Sequence, residues 1–303
     1  MIGQGTSQYT VKSIIDRLFM SILTPPDKQY AQVSLAVDVD DSIETIVLGK
    51  FTIPEDESLL RQGSILEAGQ ELMRVHSYDQ AASSVFVTRG EYGTVPVEHS
   101  VPTLLNMNPP YTRASVFEAV ADEMILLSPK LYTTGEELLS NVTDRVYSIS
   151  DPLAVEVLSI WTGDFTSTVD VEGEIVDFHP MSGGRSLITG TSLGSVWLRY
   201  RKRMDKATSE SDVLADLGVD ERWVNIVMYG VAGDLLVGRD LTAAQTEWVK
   251  SVLEAENIRV GSRMSIAGGL RQYRNMLLDE AQAEMRNEYR VKVKMRRAIG
   301  SPT

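Results

Sequence analysis

The chain has 303 residues, no cysteine and a formal net charge of −13. Its length exceeds what one hydrophobic core usually fills, so two or three domains are expected, and the missing cysteines exclude disulfides, thiolate metal sites and thiol nucleophiles. The acidity excludes a nucleic-acid footprint spread over the whole surface, and no run approaches the ~20 apolar residues of a membrane span, so a soluble chain without a classical export signal is expected.

Val11, Ile14, Ile15, Leu18, Phe19 and Ile22 recur at helical spacing, which predicts an amphipathic helix over 10–23, stopped by Pro25-Pro26, within an N-terminal segment 1–30. From Val33 to about Met107 the pattern changes to short β-prone runs: SLAVDV, ETIVLG, SILEAGQELMRVHSY and SSVFVTRG. Gly49, Gly63, Gly69, Gly90 and Gly93 fall near their turns, so residues 31–107 predict a small β-barrel or sandwich inserted in the chain. In the next segment, 108–140, Pro109-Pro110 precede Ser115-x-x-Glu118, a capping-box pattern. Val116, Val120, Met124 and Leu127 then mark one face of a second core helix that ends before Pro129.

Residues 141–203 return to strands. RVYSI, AVEVLSIW, TVDVEGEIVDFH, RSLIT and SVWLRYRKR, divided by Gly173, Gly183-Gly184, Gly190 and Gly194, predict an antiparallel, sandwich-like domain. Residues 204–288 read as helical. One or two helices span Asp212 to about Leu236 around Trp223, Ile226 and Val227; Thr242-x-x-Gln245 opens another with Trp248, Val249, Val252 and Leu253 on its buried face. The last runs from about Ser265 to Tyr289 with Leu270, Tyr273, Leu277 and Met285 in one stripe. The class is α+β: a helical core with an inserted small β-barrel or sandwich, a second antiparallel β domain, C-terminal helices and an extended tail.

That tail, 289–303, breaks the pattern of the rest. Tyr289, Arg290, Val291, Lys292, Val293, Lys294, Met295, Arg296 and Arg297 alternate with a period of two, which is strand spacing. From Arg286 to Arg297 the local charge is +5, so the other 291 residues carry −18. An alternating basic segment can add to a sheet edge or lie in a groove, with its cations free to pair with carboxylates or phosphate.

Catalytic and metal-binding patterns are not found. His76, His99 and His179 have no metal-ligand spacing and read as solvated or core histidines. Asp38, Asp40 and Asp41 in VDVDDS lack the glycine and distal glutamate of a calcium loop and read as a polar turn. MSGGRS and GTSLGS read as hairpin turns, no GxSxG elbow occurs, and Asp122-Glu123 read as solvated helix charges. In VTRGEYGTVPVEH, Gly90 and Gly93 permit positive φ, Arg89 is placed to pair with a carboxylate or a backbone carbonyl, and His99 to act as a hydrogen-bonding staple.

This last stretch resembles tailed-bacteriophage head-to-tail connector, or adaptor, proteins of the virion neck. The shared form is a strand carrying a glutamate, here GQELMRVHSY, followed by V-x-RG-x-x-GT-x-x-x-x-H and a proline-marked loop leading into a helix. Val87, Arg89, Gly90, Gly93, Thr94 and His99 match it, and PPYTRASVFEAV matches the helix; Val101-Pro102 stand where the family often has glycine. The resemblance is sharpest over residues 60–130. It implies a non-enzymatic structural protein with no cofactor. Such a protein is assembled in the bacterial host cytoplasm into a ring of about twelve copies between capsid and tail. It further implies portal protein and distal tail or neck proteins as partners, portal docking through Tyr289–Arg297, transient contact with packaged DNA, and no membrane. A tail terminator, stopper or baseplate component is the alternative within the same virion.

Overall fold

The computed structural model describes residues 9–23, 31–142, 146–162, 186–188, 194–237 and 263–288. Helix α1 spans Val11–Leu18 and continues as a π-helical turn, Phe19–Leu23. Val11, Ile14, Ile15 and Leu18 are fully buried, as their spacing predicts. The start of α1 is pinned by backbone bonds from Val11 and Lys12 to the carbonyls of Asp212 and Glu210.

A closed six-stranded barrel follows, formed by β1 (Gln32–Leu35), β2 (Thr45–Phe51), β3 (Ile65–Ala68), β4 (Glu71–Asp79), β5 (Ser84–Thr88) and β6 (Leu104–Met107). Its strand order is β1-β2-β5-β4-β3-β6, every neighbour is antiparallel, and β6 closes on β1. Alternate residues point inward: Val33 and Leu35, Ile46 and Leu48, Val85 and Val87, with Leu66, Met73, Val75 and Leu105, fill one core. Closure leaves no bare strand edge. Gly69, with a positive φ of 60°, makes the tight turn that divides SILEAGQELMRVHSY into two strands. At the point of entry and exit, Gln32 lies opposite Asn106, and the two side chains share a 2.7 Å hydrogen bond.

Helix α2 (Arg113–Leu127) starts three residues earlier than the Ser115-x-x-Glu118 pattern implies. Thr112, in extended conformation, is the N-cap: its Oγ1 accepts from the Ser115 N–H at 3.1 Å, and the Ser115 hydroxyl returns a bond to the Thr112 carbonyl at 2.8 Å. Ser115 is therefore inside the first turn. Beyond the helix, 133–140 are not part of a helical segment, because β7 occupies Thr133–Val142. It pairs along nearly its whole length with the central strand β11 (Gly194–Lys202), which also pairs with β9 (Ala154–Thr162). A separate two-stranded ladder joins β8 (Val146–Ser148) to β10 (Ser186–Ile188). The second β region is thus antiparallel; the predicted strand TVDVEGEIVDFH lies outside the described residues.

Residues 212–220 were expected to be helical but form turns. The Asp212 carboxylate accepts the Thr208 and Ser209 N–H groups, and Gly218 has a φ of 73° beside the Arg203 carbonyl, a conformation a helix cannot contain. A 3-10 turn, Glu221–Trp223, capped by Asp220, then leads into α3 (Val224–Leu235). This helix is apolar on nearly every side because it is the central member of the bundle. Helix α4 (Arg263–Glu288) packs on it, with Leu270, Leu278, Ala281 and Met285 buried and Tyr273 against Tyr229. The predicted helix at Thr242 lies outside the described residues. Helices α1 to α4 share one core, separate from that of the barrel. No helix among the described residues is long and apolar enough to cross a membrane.

Candidate interaction site

The segment 89–99 is folded back onto β4 by one buried carboxylate. The side chain of Glu71 has no solvent exposure. Its Oε1 accepts from Arg89 Nε, while its Oε2 accepts from Arg89 Nη2 at 2.7 Å, His99 Nε2 at 2.8 Å and the Val97 N–H at 3.1 Å. Arg89 in turn commits all five of its N–H groups: the remaining three reach the carbonyls of Asp40, Ile43 and Val97. Burial alone pushes the Glu71 carboxyl up, but the bonds from Arg89, Val97 and His99 outweigh it and hold the group below the usual glutamate range. His99 is further tied by reciprocal backbone bonds to Val39.

The other members of the motif shape the turn. Gly90 (φ 67°) lies so close to the Thr94 carbonyl and the Pro96 ring that a Cβ has no room, and Gly93 has a φ of 81°. Thr94 Oγ1 accepts from the Leu72 N–H at 3.0 Å and donates to the Glu91 carbonyl at 2.9 Å. Arg89, Gly90, Gly93, Thr94 and His99 are thus brought together, around a glutamate that only the family resemblance pointed to.

What this bracing holds out is apolar. Tyr92 and Val95 are each 72% exposed and Val97 is 45% exposed. Tyr92 is a non-glycine residue in left-handed backbone geometry (φ 55°, ψ 30°), and its ring lies under the Arg74 guanidinium at 5.6 Å. The three side chains form one wall of a cleft of about 1020 Å3 between the barrel and the start of α2, whose other wall includes Thr112, Arg113, Phe117 and Glu118.

The joint at the cleft base is polar and fixed. Buried Glu67 of β3 accepts the Arg113 N–H at the start of α2 and the Asn106 side-chain amide at 3.1 Å. Burial pushes its carboxyl up, against the lowering effect of those bonds. The Arg113 guanidinium grips Glu210 (2.6 Å) and Asp16 (2.8 Å), and Gln70 donates to Glu210 at 3.0 Å.

Elsewhere the expected chemistry is bland. His76 contacts Thr88 Oγ1 and Phe86 at the barrel surface, Asp40 caps its own turn through the Ser42 and Ile43 N–H groups, and Asp38 accepts the Val101 N–H. No cluster of potential metal ligands occurs among the described residues. His179 and the whole segment Tyr289–Arg297 lie outside them. One expectation is overturned: Glu123 is not a solvated helix charge. It is buried between α2, α3 and α4 and paired with Arg274; its spacing of three from Val120 and seven from Val116 puts it on the apolar face of α2, a signal for burial.

Compared with known proteins, the sequence matches no family model and no curated protein.

Proposed function

We propose that the chain is a structural protein of a tailed-phage virion: a head-to-tail adaptor that forms a ring on the portal, extends the DNA channel and offers a platform to the tail. The observation that carries this reading is the placement of the RG-x-x-GT-x-x-x-x-H segment. It braces a closed barrel inserted between two helices of a bundle, and the side chains of Arg89, Thr94 and His99 are consumed in that bracing. Bracing of this kind suits a protein that transmits force and fixes geometry. The charge distribution is in keeping with it: an acidic body repels the phosphates of passing DNA, and the +5 segment gives each subunit a cationic arm for a neighbouring structural protein.

Removal of residues 289–303 tests the reading directly. Ring attachment to the cognate portal, followed by sedimentation and electron microscopy, is expected to be lost; unchanged attachment overturns portal docking through this segment. Virions labelled on this protein should carry the label at the neck. Label at the tail tip or tube end would assign the chain instead to a terminator, stopper or baseplate.

A further inference from the structure

The cleft between barrel and helical body presents an apolar wall that stays exposed among the described residues, and we infer that it receives residues 289–297 of a second copy of this chain. Three observations converge on that occupant. The first is the apolar wall. Tyr92, Val95 and Val97 project from a segment that the Glu71–Arg89 pair and His99 hold rigid, so the cost of ordering it is met before anything binds. An extended segment 289–297 would set Val291, Val293 and Met295 against such a wall, all on one side.

The second is charge. The cleft lining carries the carboxylates of Glu118 and Glu210 against the single cation Arg113, Glu71 being buried and already answered by Arg89. Along the outer flank of α2, Glu118 and Asp122 are 61% and 68% exposed, with Lys206 shared between them. Lys292, Lys294 and Arg296, on the opposite side of the segment from its apolar residues, face that flank when the valines face the wall.

The third is reach. The cleft lies at the start of α2, by Thr112 and Arg113, whereas the last turns of α4 lie beyond its other end: Gln282 donates to the Lys130 carbonyl and Glu284 faces Arg222. The 15 residues of α2 put about 22 Å between the two ends. At about 3.3 Å per residue, a chain's own segment would use some seven residues in transit and arrive with its valines spent. A neighbour's segment has no such debt. The cleft and the portal would compete for the same nine residues, so a chain off the portal has its cationic arm shielded.

The test is a fluorescein-labelled peptide of residues 286–303 titrated into the full chain at low ionic strength, followed by anisotropy. Saturable binding is expected, weakened about tenfold or more by Val95→Asp, and equally by a peptide whose Val291, Val293 and Met295 are replaced by serine at unchanged charge. Val95 is too exposed for its replacement to threaten the fold, and Tyr92→Ser provides a second probe of the same wall. No saturable binding, binding indifferent to Val95→Asp and Tyr92→Ser, or equal binding of the serine peptide each overturns the inference. Portal attachment is read separately, so either result can fail alone.

Discussion

Arg274 of α4 holds a single oxygen of Glu123 of α2 with two donors, Nε at 2.8 Å and Nη2 at 2.6 Å, and both side chains are nearly shut off from solvent. Burial pushes the Glu123 carboxyl up despite the guanidinium beside it, so the pair is held by the geometry of its surroundings. Part of that geometry is Gly230 of α3, where a Cβ would run into the Glu123 carboxylate.

Gly230→Ala is therefore expected to destabilise the chain. In an open helix the same change usually stabilises by up to ~1 kcal/mol. Here the displaced carboxylate should turn that into a loss of about 1–3 kcal/mol, read from urea unfolding midpoints. A stabilised variant would show that the α2–α3 approach is looser than described.

Arg89→Lys should cost about 2–4 kcal/mol, because an ammonium has three donors where five are used and cannot form the bidentate pair with Glu71. Thermal unfolding with a barrel-localised probe checks it. Retention of wild-type stability would mean that the five bonds are not jointly made.

Glu71 also predicts a pH dependence. Its folded-state pKa is lowered, so its contribution is fully present above the ordinary glutamate range and disappears as pH falls through the lower, folded value. The stability gap between wild type and Glu71→Gln should be widest near pH 6–7, at about 3 kcal/mol, and should narrow below pH ~4. A gap that stays constant to pH 3 contradicts this.

Tyr92→Gly relieves a left-handed backbone that disfavours side chains, while making the unfolded chain more flexible; the two effects nearly cancel. Stability should stay within about 1 kcal/mol of wild type, although a 72% exposed aromatic is lost. A larger fall would mark Tyr92 as a structural residue instead of a presented one.

Thr112→Ala should cost about 1 kcal/mol, against a few tenths for Glu118→Ala, since Thr112 and not Ser115 caps α2. Equal effects would restore the capping box centred on Ser115.

The barrel was legible because its strands alternate: Val33/Leu35, Ile46/Leu48 and Val85/Val87 announce a face, and Gly69 a turn. Two strands were not. LLNM is four residues long and shows solvent one of its leucines, Leu104, so its own pattern is too short to declare a strand. TTGEELLSNV has no clean alternation and becomes a strand through its register with β11. The turn residues Arg89, Gly90, Gly93, Thr94 and His99 could be read as a brace, but their common partner was visible only through resemblance, since nothing local marks Glu71 as buried. Glu123 differs: its spacing from Val116 and Val120 puts it on the apolar face of α2, and only its partner, Arg274, 151 residues away, is out of local view.

The Gln32–Asn106 pair has a consequence for how this chain could have been assembled and altered. Because β1 and β6 are neighbours in the barrel, the 75-residue excursion begins and ends at one place, through two adjacent strands. The bundle core formed by α1 to α4 contains no barrel side chain. The barrel is thus a cassette: bridging positions 31 and 108 with a short turn leaves the bundle's own contacts intact, and a different small domain could occupy the same socket. At the seam, the contacts that Glu67 and Gln70 make to Arg113 and Glu210, and that Ile65 makes to Asn108, would need replacing.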